Sequence, residues 1–532
     1  MKKLNILFKI LVLSGTIIFN YSCSDFLDVE LESKTSIDMI LEDSKMTDSY
    51  MIGIYRDWRE CHKPRSDYYL GTDEAKLGGV QYRDNQDRRG IEMYSNELGT
   101  TNGVALNLWN TRYQIVSAAT IAIEGLRKKG DLSPSMERYL GEACALRASA
   151  YFELVQHFGE IPMNNAEVIA EHGSKRQSLE LVYSKIAEDF TTAIQYLPDP
   201  SDTTFTDKTR FSKTYAQAML GKAYLYAQEE SGFRSYEKAK EQFKAVYENA
   251  FYNRTGASQY NVIFDETGAS DGSADYEREM IYAFRFSNVR NDNSGAQWDV
   301  GSRAVAVMSA VEAVIYYAGF DALMPTRYCY ADVDSGGIWE TGDVRKNLSI
   351  RYDFKYNGKQ PELIGYCYGD ELDPHIKKYE DKRTENAGLN TWYSGKHIPY
   401  LRFSDIVLCY AECLYMTGSQ AEGINLINNV VRKRAFGGRI SSSNKWSTAM
   451  GQDEFYKNLM DERMRELCFE GWRKLDLIRT GKTKEYTTAR NSWMLEKGVT
   501  DFPNTRLRLP IPLDELQMNP DMSLSDQNPG YN

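Results

Sequence analysis

The chain has 532 residues, 75 acids against 64 lysines and arginines, and a formal charge of −11. No long basic patch interrupts that balance, which excludes a nucleic-acid binder, because phosphate neutralisation needs clustered cations. Its length exceeds one ordinary domain, yet no Ser/Gly-rich or Pro-rich linker divides it. Beyond the N-terminal segment no stretch approaches the roughly 18 continuous apolar residues of a membrane span.

Residues 1–22 carry Lys2, Lys3 and Lys9, then Ile10-Leu11-Val12-Leu13 and Ile17-Ile18-Phe19, with Ser14-Gly15-Thr16 between the apolar runs. A basic region followed by a short apolar one is a secretory signal and is too short to span a bilayer. Cys23 follows directly, in Asn20-Tyr21-Ser22-Cys23, and resembles the lipobox cysteine of bacterial lipoproteins. The resemblance implies cleavage before Cys23 and a diacylglycerol on its sulfur. Asp25 and Asp28 just beyond it resemble the surface-export signal of Bacteroidetes lipoproteins. Two or more acyl chains hold a protein firmly at a membrane, so the mature chain, 23–532, is expected to be anchored to one without crossing it.

From about 104 to 252 the pattern predicts helices. Val182, Ile186, Phe190, Ala193 and Leu197 recur at spacings of three and four, as do Ala216, Met219, Leu220, Ala223, Tyr224 and Ala227, which is one buried helix face in each case. Ser133 before Pro134 suits a helix start. Small residues beside large ones, as in Ala148-Ser149-Ala150-Tyr151-Phe152, suit closely packed helix pairs. Helical pairs return from about 403 to 435, with Ile406, Cys409, Tyr410 and Cys413 on one face and Ile424, Ile427 and Val431 on the next helix, and the helical scaffold runs on to about 480. Between, from about 253 to 400, the chain is rich in Gly, Asp, Asn and aromatics. This predicts long ordered loops with a few short strands, Met280 to Phe286 being one. Loops carried on a rigid scaffold are where binding usually resides.

Little in the sequence points to chemistry. Of eight cysteines, Cys23 aside, seven remain, with no Cys-x-x-Cys pair. Cys144, Cys409, Cys413 and Cys468 fall in apolar helical patterns and are expected as buried thiols. Cys409 and Cys413 lack the third and fourth ligands of a metal site. Asp461, Glu462, Glu466 and Glu470 alternate with Arg463, Arg465 and Arg473, a pattern of ion pairs on a partly buried helix rather than of acid/base residues. His62, His157, His172, His375 and His397 show no metalloprotease spacing or triad, and there is no nucleophile elbow, Walker loop or dinucleotide fingerprint. A surface glycosidase would need two carboxylates across a cleft, which no local motif announces, and it is the weakest reading. No catalytic residue, metal or cofactor is expected.

The 37 tyrosines and 8 tryptophans exceed what the helical faces use. The surplus lies in polar loops: Tyr82 with Arg83, Asp84 and Asn85 in 71–87, Trp298 with Asn291, Asn293 and Asp299 in 289–301, and Tyr330 and Trp339 in 328–343. Sugar rings lie against flat aromatic faces while a few placed polar groups meet their hydroxyls. These residues are therefore the expected ligand set, Trp298 foremost.

Seven segments in order, 142–163 (EACALRASAYFELVQHFGEIPM), 181–198, 211–228, 279–286, 401–435, 461–482 (DERMRELCFEGWRKLDLIRTGK) and 507–531, resemble the RagB/SusD family of nutrient-uptake outer-membrane lipoproteins. The resemblance implies an all-α scaffold of four tetratricopeptide-like helix pairs with a loop-rich second half packed on it. It implies an outer-membrane location facing the cell exterior, and a TonB-dependent, SusC-like barrel that the lipoprotein caps as a hinged lid. It further implies capture of an oligosaccharide, or alternatively a peptide, without chemistry.

Overall fold

The computed structural model describes residues 37–63, 66–164, 173–252, 260–268, 270–289, 291–303, 311–312, 319–352, 355–356, 370, 372–383 and 394–531. Cys23 and the segment before it lie outside these residues.

After a short helix, Ile37–Glu42, comes a long one absent from the expected set. In α1 (Ser44–Glu60) the Asp43 carboxylate accepts the Lys45 and Met46 amides at 2.9 Å each, and Met51, Ile54, Tyr55 and Trp58 are buried. Their spacing of three, one and three is the same one-face pattern that marks the later helices. The expected helices follow as α2 (Gly103–Lys129), α3 (Pro134–Phe158), α4 (Leu179–Tyr196), α5 (Lys213–Tyr226) and α6 (Tyr236–Glu248). Ser133 precedes α3 with Pro134 in its first turn, but the serine hydroxyl bonds Ser135 Oγ at 3.1 Å and caps no amide.

Each helix packs on its chain neighbour, and α6 then packs on α7 (Phe403–Met416), which pairs with α8 (Gln420–Leu426). The pairs α1/α2, α3/α4, α5/α6 and α7/α8 form the tetratricopeptide-like array, and the fold is mostly helical. At Gly221 a Cβ would fall 2.5 Å from the Phe243 ring, so only glycine lets α5 and α6 approach this closely. The helix after α8 opens into a π turn, Ile427–Arg432. α9 (Gln452–Leu467) and α10 (Arg473–Arg479) are separated by a bend in which Phe469 takes φ +62° and Gly471 φ +86°. Cys468 therefore caps α9 instead of lying inside a helix. It is buried, as are Cys144, Cys409 and Cys413.

Strands in the described part of the loop-rich half are short and tie it to the scaffold. β1 (Ala75–Leu77) pairs antiparallel with β3 (Leu323–Pro325). β2 (Met280–Phe284), two residues shorter than expected, pairs with β4 (Ile398–Arg402), which leads into α7.

The acidic helix is partly buried, as expected: Asp453, Glu454 and Lys457 of its first half are exposed, whereas Glu462 and Glu466 of its second half sit in a buried ion-pair hub. Arg465 reaches Glu462 three residues away at 2.8 Å, the local pair expected of a helix. Arg463 instead meets Asp405 at 2.9 Å and Asp476 at 2.7 Å, and Arg473 meets Asp73 at 2.6 Å. Arg345, from the loop-rich half, reaches Glu462 at 2.9 Å and Glu466 at 3.0 Å. Burial alone would raise the Glu466 carboxyl, but the guanidiniums of Arg434, Arg402 and Arg345 hold it well below the usual carboxylate range.

Candidate functional site

The first expected loop region, 71–87, meets the loop-rich half where β1 joins β3. A Cβ at Gly78 would lie 1.8 Å from the Asp321 carbonyl oxygen, so this contact requires a residue without a side chain. From there the helix Gly79–Asp84 runs outward, its Gly79 amide donating to Asp370 Oδ2 at 2.7 Å. Arg89 clamps the helix, donating to the Tyr82 carbonyl at 2.5 Å and the Arg83 carbonyl at 2.9 Å.

Tyr82 is half-buried, edge-on to Trp493 with ring centres 5.2 Å apart. Lys497 Nζ lies 4.1 Å from the Trp493 ring centre and 5.0 Å from that of Tyr82, and Lys76 Nζ lies 4.9 Å from Trp493. Cations over aromatic faces gain roughly 0.5–1 kcal/mol at exposed sites, which favours this packed arrangement. Arg83 and Asp84 form an exposed two-pronged pair, 2.6 Å at each contact. Asn85 caps the following helix, Gln86–Met93, by accepting the Arg88 amide at 3.0 Å, so its side-chain oxygen is occupied locally.

Arg88 links this region to the second. It meets Asp299 at 3.4 Å, on the short helix Ala296–Val300. Asp299 is buried, whereas its neighbour Trp298 is 42% exposed and stacks on Phe320 with ring centres 4.0 Å apart. The Phe320 amide donates to the Trp298 carbonyl at 3.0 Å. Arg88 also lines a cavity of about 370 Å³ with Lys63, Asn107, Thr111 and, at its inner end, Tyr68 and Arg112. Gly295, which opens the Trp298 turn, lies beside Lys63. An exposed tryptophan face thus stands next to a concave, polar-lined cavity, the combination that sugar binding needs.

The other expected residues divide. Tyr330 is half-buried, and burial first, then the nearby Asp373, pushes its hydroxyl up; Asp373 in turn lies 3.7 Å from Lys76. Trp339 is a core residue: it is 1% exposed and its indole donates to the Cys329 carbonyl at 2.7 Å. Its place in the expected ligand set is corrected accordingly, since a fully enclosed ring offers no face to a ligand. The structure thus links the 82–85 segment to Asp299, beside Trp298, through Arg88, and removes Trp339. It adds Trp493, Lys76, Lys497, Arg88 and Phe320, which the sequence reading does not single out. Trp493 among Asn491, Ser492, Glu496 and Lys497 carries the same cue as Trp298, an aromatic among polar residues. Among the described residues no group of histidine, cysteine or carboxylate side chains is placed to hold a metal.

Beneath the Tyr82–Trp493 pair lies Glu92, wholly buried, accepting the Leu77 amide at 2.7 Å. Burial pushes its carboxyl up to about 8, against the pull of the Leu77 amide, the Trp493 indole, Lys76 and Lys497. A raised folded value means that the folded state keeps a proton the unfolded state gives up. The stabilisation is full below the ordinary carboxylate range and is lost as pH rises through about 8. Glu92→Gln, which keeps the acceptor but cannot ionise, is expected to match the parent near pH 4. At about pH 9 it should exceed the parent by a few kcal/mol in urea unfolding. Equal stabilities across that range would show that Glu92 is already ionised in the fold.

The family model described as starch-binding, associating with the outer membrane, matches residues 25–225, and that of the SusD family matches residues 338–531. SusD-like protein P38 of Formosa agariphila is 25% identical over 505 residues, spanning 91% of this chain and 92% of its own. A laminarin-binding SusD-like protein superposes with a TM-score of 0.70 at 22% identity, over 92% of this chain and 99% of its own. Surface glycan-binding protein A of Bacteroides thetaiotaomicron, in complex with laminarihexaose, superposes with a TM-score of 0.67 at 16% identity, over 89% of this chain and 97% of its own. Both solved structures share the tetratricopeptide-like helical fold. Matched in its first and second halves by these models and along nearly all its length by its relatives, the chain belongs to the SusD/RagB family.

Proposed function

We propose that the protein is a lipid-anchored receptor on the outer face of the outer membrane. It captures an oligosaccharide on the surface around Trp298 and Tyr82 and passes it to a TonB-dependent transporter. The observation that carries this reading is Trp298, exposed, backed by Phe320 and set beside the cavity that Arg88 lines. Relatives of the same fold include a laminarin-binding protein and one holding laminarihexaose, which supports a glycan as the ligand class. The receptor performs no chemistry. Its conspicuous carboxylates, Glu462, Glu466 and Glu470, are committed to buried arginine and lysine partners.

Stacking on Trp298 removes apolar surface from water, at about 25 cal/mol per Å² before ordering costs are deducted. A shallow site should therefore bind in the micromolar to millimolar range, weak enough to release its ligand onward. Trp298→Ala or Tyr82→Ala is expected to weaken glycan binding by roughly 1 to 3 kcal/mol in calorimetry, against a ligand taken from a glycan array. The Trp298 variant should melt as the parent does. Unchanged affinity in both variants would place the site elsewhere. For the anchor, Cys23→Ala should move the protein out of the membrane fraction when the transporter is absent and abolish lipid labelling; a variant that stays with the membranes would refute the lipobox.

A further inference from the structure

A larger cavity, about 1000 Å³, opens elsewhere on the molecule, and none of its lining residues belongs to the surface around Trp298 or to the smaller cavity. It lies between the end of α5, the start of α6, the flank of α9, and α10 with the helix Thr483–Arg490. Its floor reaches the buried Tyr226 and Arg479, so it is a deep cleft.

Its walls carry tyrosines held in place. The Tyr236 and Tyr456 hydroxyls lie 3.1 Å apart, and Tyr456 donates to Glu412 at 3.2 Å. Tyr486 is covered by Arg490, 3.6 Å from its ring centre, which leaves the half-buried Tyr236 and Tyr456 as the available aromatic surface.

Six lysines and arginines and four acids line it, and of the cations Arg479 and Arg490 are held by Glu412, Asp476, Asp73 and Asp461 behind the wall. Three of the cations stand toward the solvent. Lys457 is exposed, Lys482 pairs with Glu485 at 2.6 Å, and Arg508 pairs with Glu230 at 2.5 Å. Both acid partners are 59% exposed. Exposed pairs of this kind contribute little and are screened by salt, so an incoming anion can take the partners' place at little cost.

We propose that this cleft binds an acidic stretch of carbohydrate, its carboxylate or sulfate groups meeting Lys457, Lys482 and Arg508 while sugar faces lie against Tyr236 and Tyr456. The proposal rests on the reading of the chain as a glycan receptor, but uses a separate set of residues. The volume suits a few sugar units, at the upper end of the roughly 300–1,000 Å³ of small-molecule sites. A long acidic glycan that engaged both surfaces would gain avidity without any new contact.

The test is calorimetry on the soluble chain beginning at Ser24. The probes are an oligogalacturonide, a sulfated dextran oligosaccharide, neutral dextran and oligoglutamate. One or both acidic sugars should bind, more weakly as salt is added, the two separating a carboxylate from a sulfate preference. The double reversal Lys457→Glu with Arg508→Glu should weaken that binding by about tenfold or more, with the melting temperature unchanged. The double variant Tyr82→Ala with Trp298→Ala should bind the acidic sugars as the parent does. Failure of both acidic sugars to bind, equal binding of neutral dextran or oligoglutamate, or an unaffected reversal variant would overturn the proposal. So would loss of binding in the Tyr82/Trp298 variant, which would assign the acidic sugar to the first surface and leave the receptor reading intact.

Discussion

Arg402→Leu is expected to cost the fold about 3–5 kcal/mol, the penalty for removing one partner from a buried ion-pair network. Arg402 is 1% exposed. Its guanidinium reaches Glu470 at 2.7 and 2.9 Å, Glu279 at 2.9 Å, Glu466 Oε1 at 2.9 Å and the Glu466 carbonyl at 2.8 Å. Leucine fills part of the space but leaves three buried acids one cation short, with Arg434 and Arg345 on Glu466, Arg434 on Glu279 and Lys378 on Glu470 as the partners that stay. Such a loss is a large share of the roughly 5–15 kcal/mol by which a whole domain is stable. Lysine should not rescue it, since a point charge cannot supply the fork that serves three acceptors. Because Glu466 is held low in the fold, the stabilisation it supplies is present above the ordinary carboxylate range and fades as pH falls through its depressed value. The variant should therefore show its deficit at neutral pH and converge on the parent in acid. Urea unfolding at several pH values measures this; a deficit below about 1 kcal/mol at neutral pH would mean that water, and not the arginine, solvates those carboxylates.

Trp339→Ala should lose about 3–5 kcal/mol of stability through the cavity it leaves. Trp339→Phe should lose about 1–3 kcal/mol by orphaning the Cys329 carbonyl. Neither should change glycan affinity in the fraction that stays folded. Trp298→Ala is expected to do the reverse, sparing the melting temperature and weakening the ligand. Thermal melts and calorimetry on the three proteins decide between them, and a binding loss in a fully folded Trp339→Phe variant would return that residue to the site.

The contrast between those two tryptophans shows what local sequence can carry. Both sit among Gly, Asp and polar residues, but one ring is enclosed because a carbonyl ten residues upstream accepts its N–H. That partner is set by how the turn folds back, and no spacing rule reports it. Helical faces are legible because their signal is local: Val182 to Leu197 repeats every turn. The α1 helix follows the same rule through Met51, Ile54, Tyr55 and Trp58 but lies before residue 104, outside the region where helices are expected. The ion pairs of α9, and of Arg473 at the start of α10, were legible as chemistry and not as geometry. Residue types announced charge compensation, whereas the partners of Arg463 and Arg473 lie on other helices or on the loop before β1. Trp493 escapes for a related reason: its role exists only because Tyr82, hundreds of residues earlier, folds against it.

The packing of α6 on α7 has a kinetic meaning. These helices are neighbours in the array, yet the whole loop-rich half separates Glu248 from Phe403. Ends so far apart along the chain meet slowly, because the entropy of closing the intervening loop must be given up before any contact rewards it. As the chain is made, α2 through α6 can pair early from local contacts, but the last pair must wait for α7 to appear and search for its seat. Until then the α6 flank that receives α7 stays bare, so the step most open to chaperone binding or misassembly is the docking of α7 and α8.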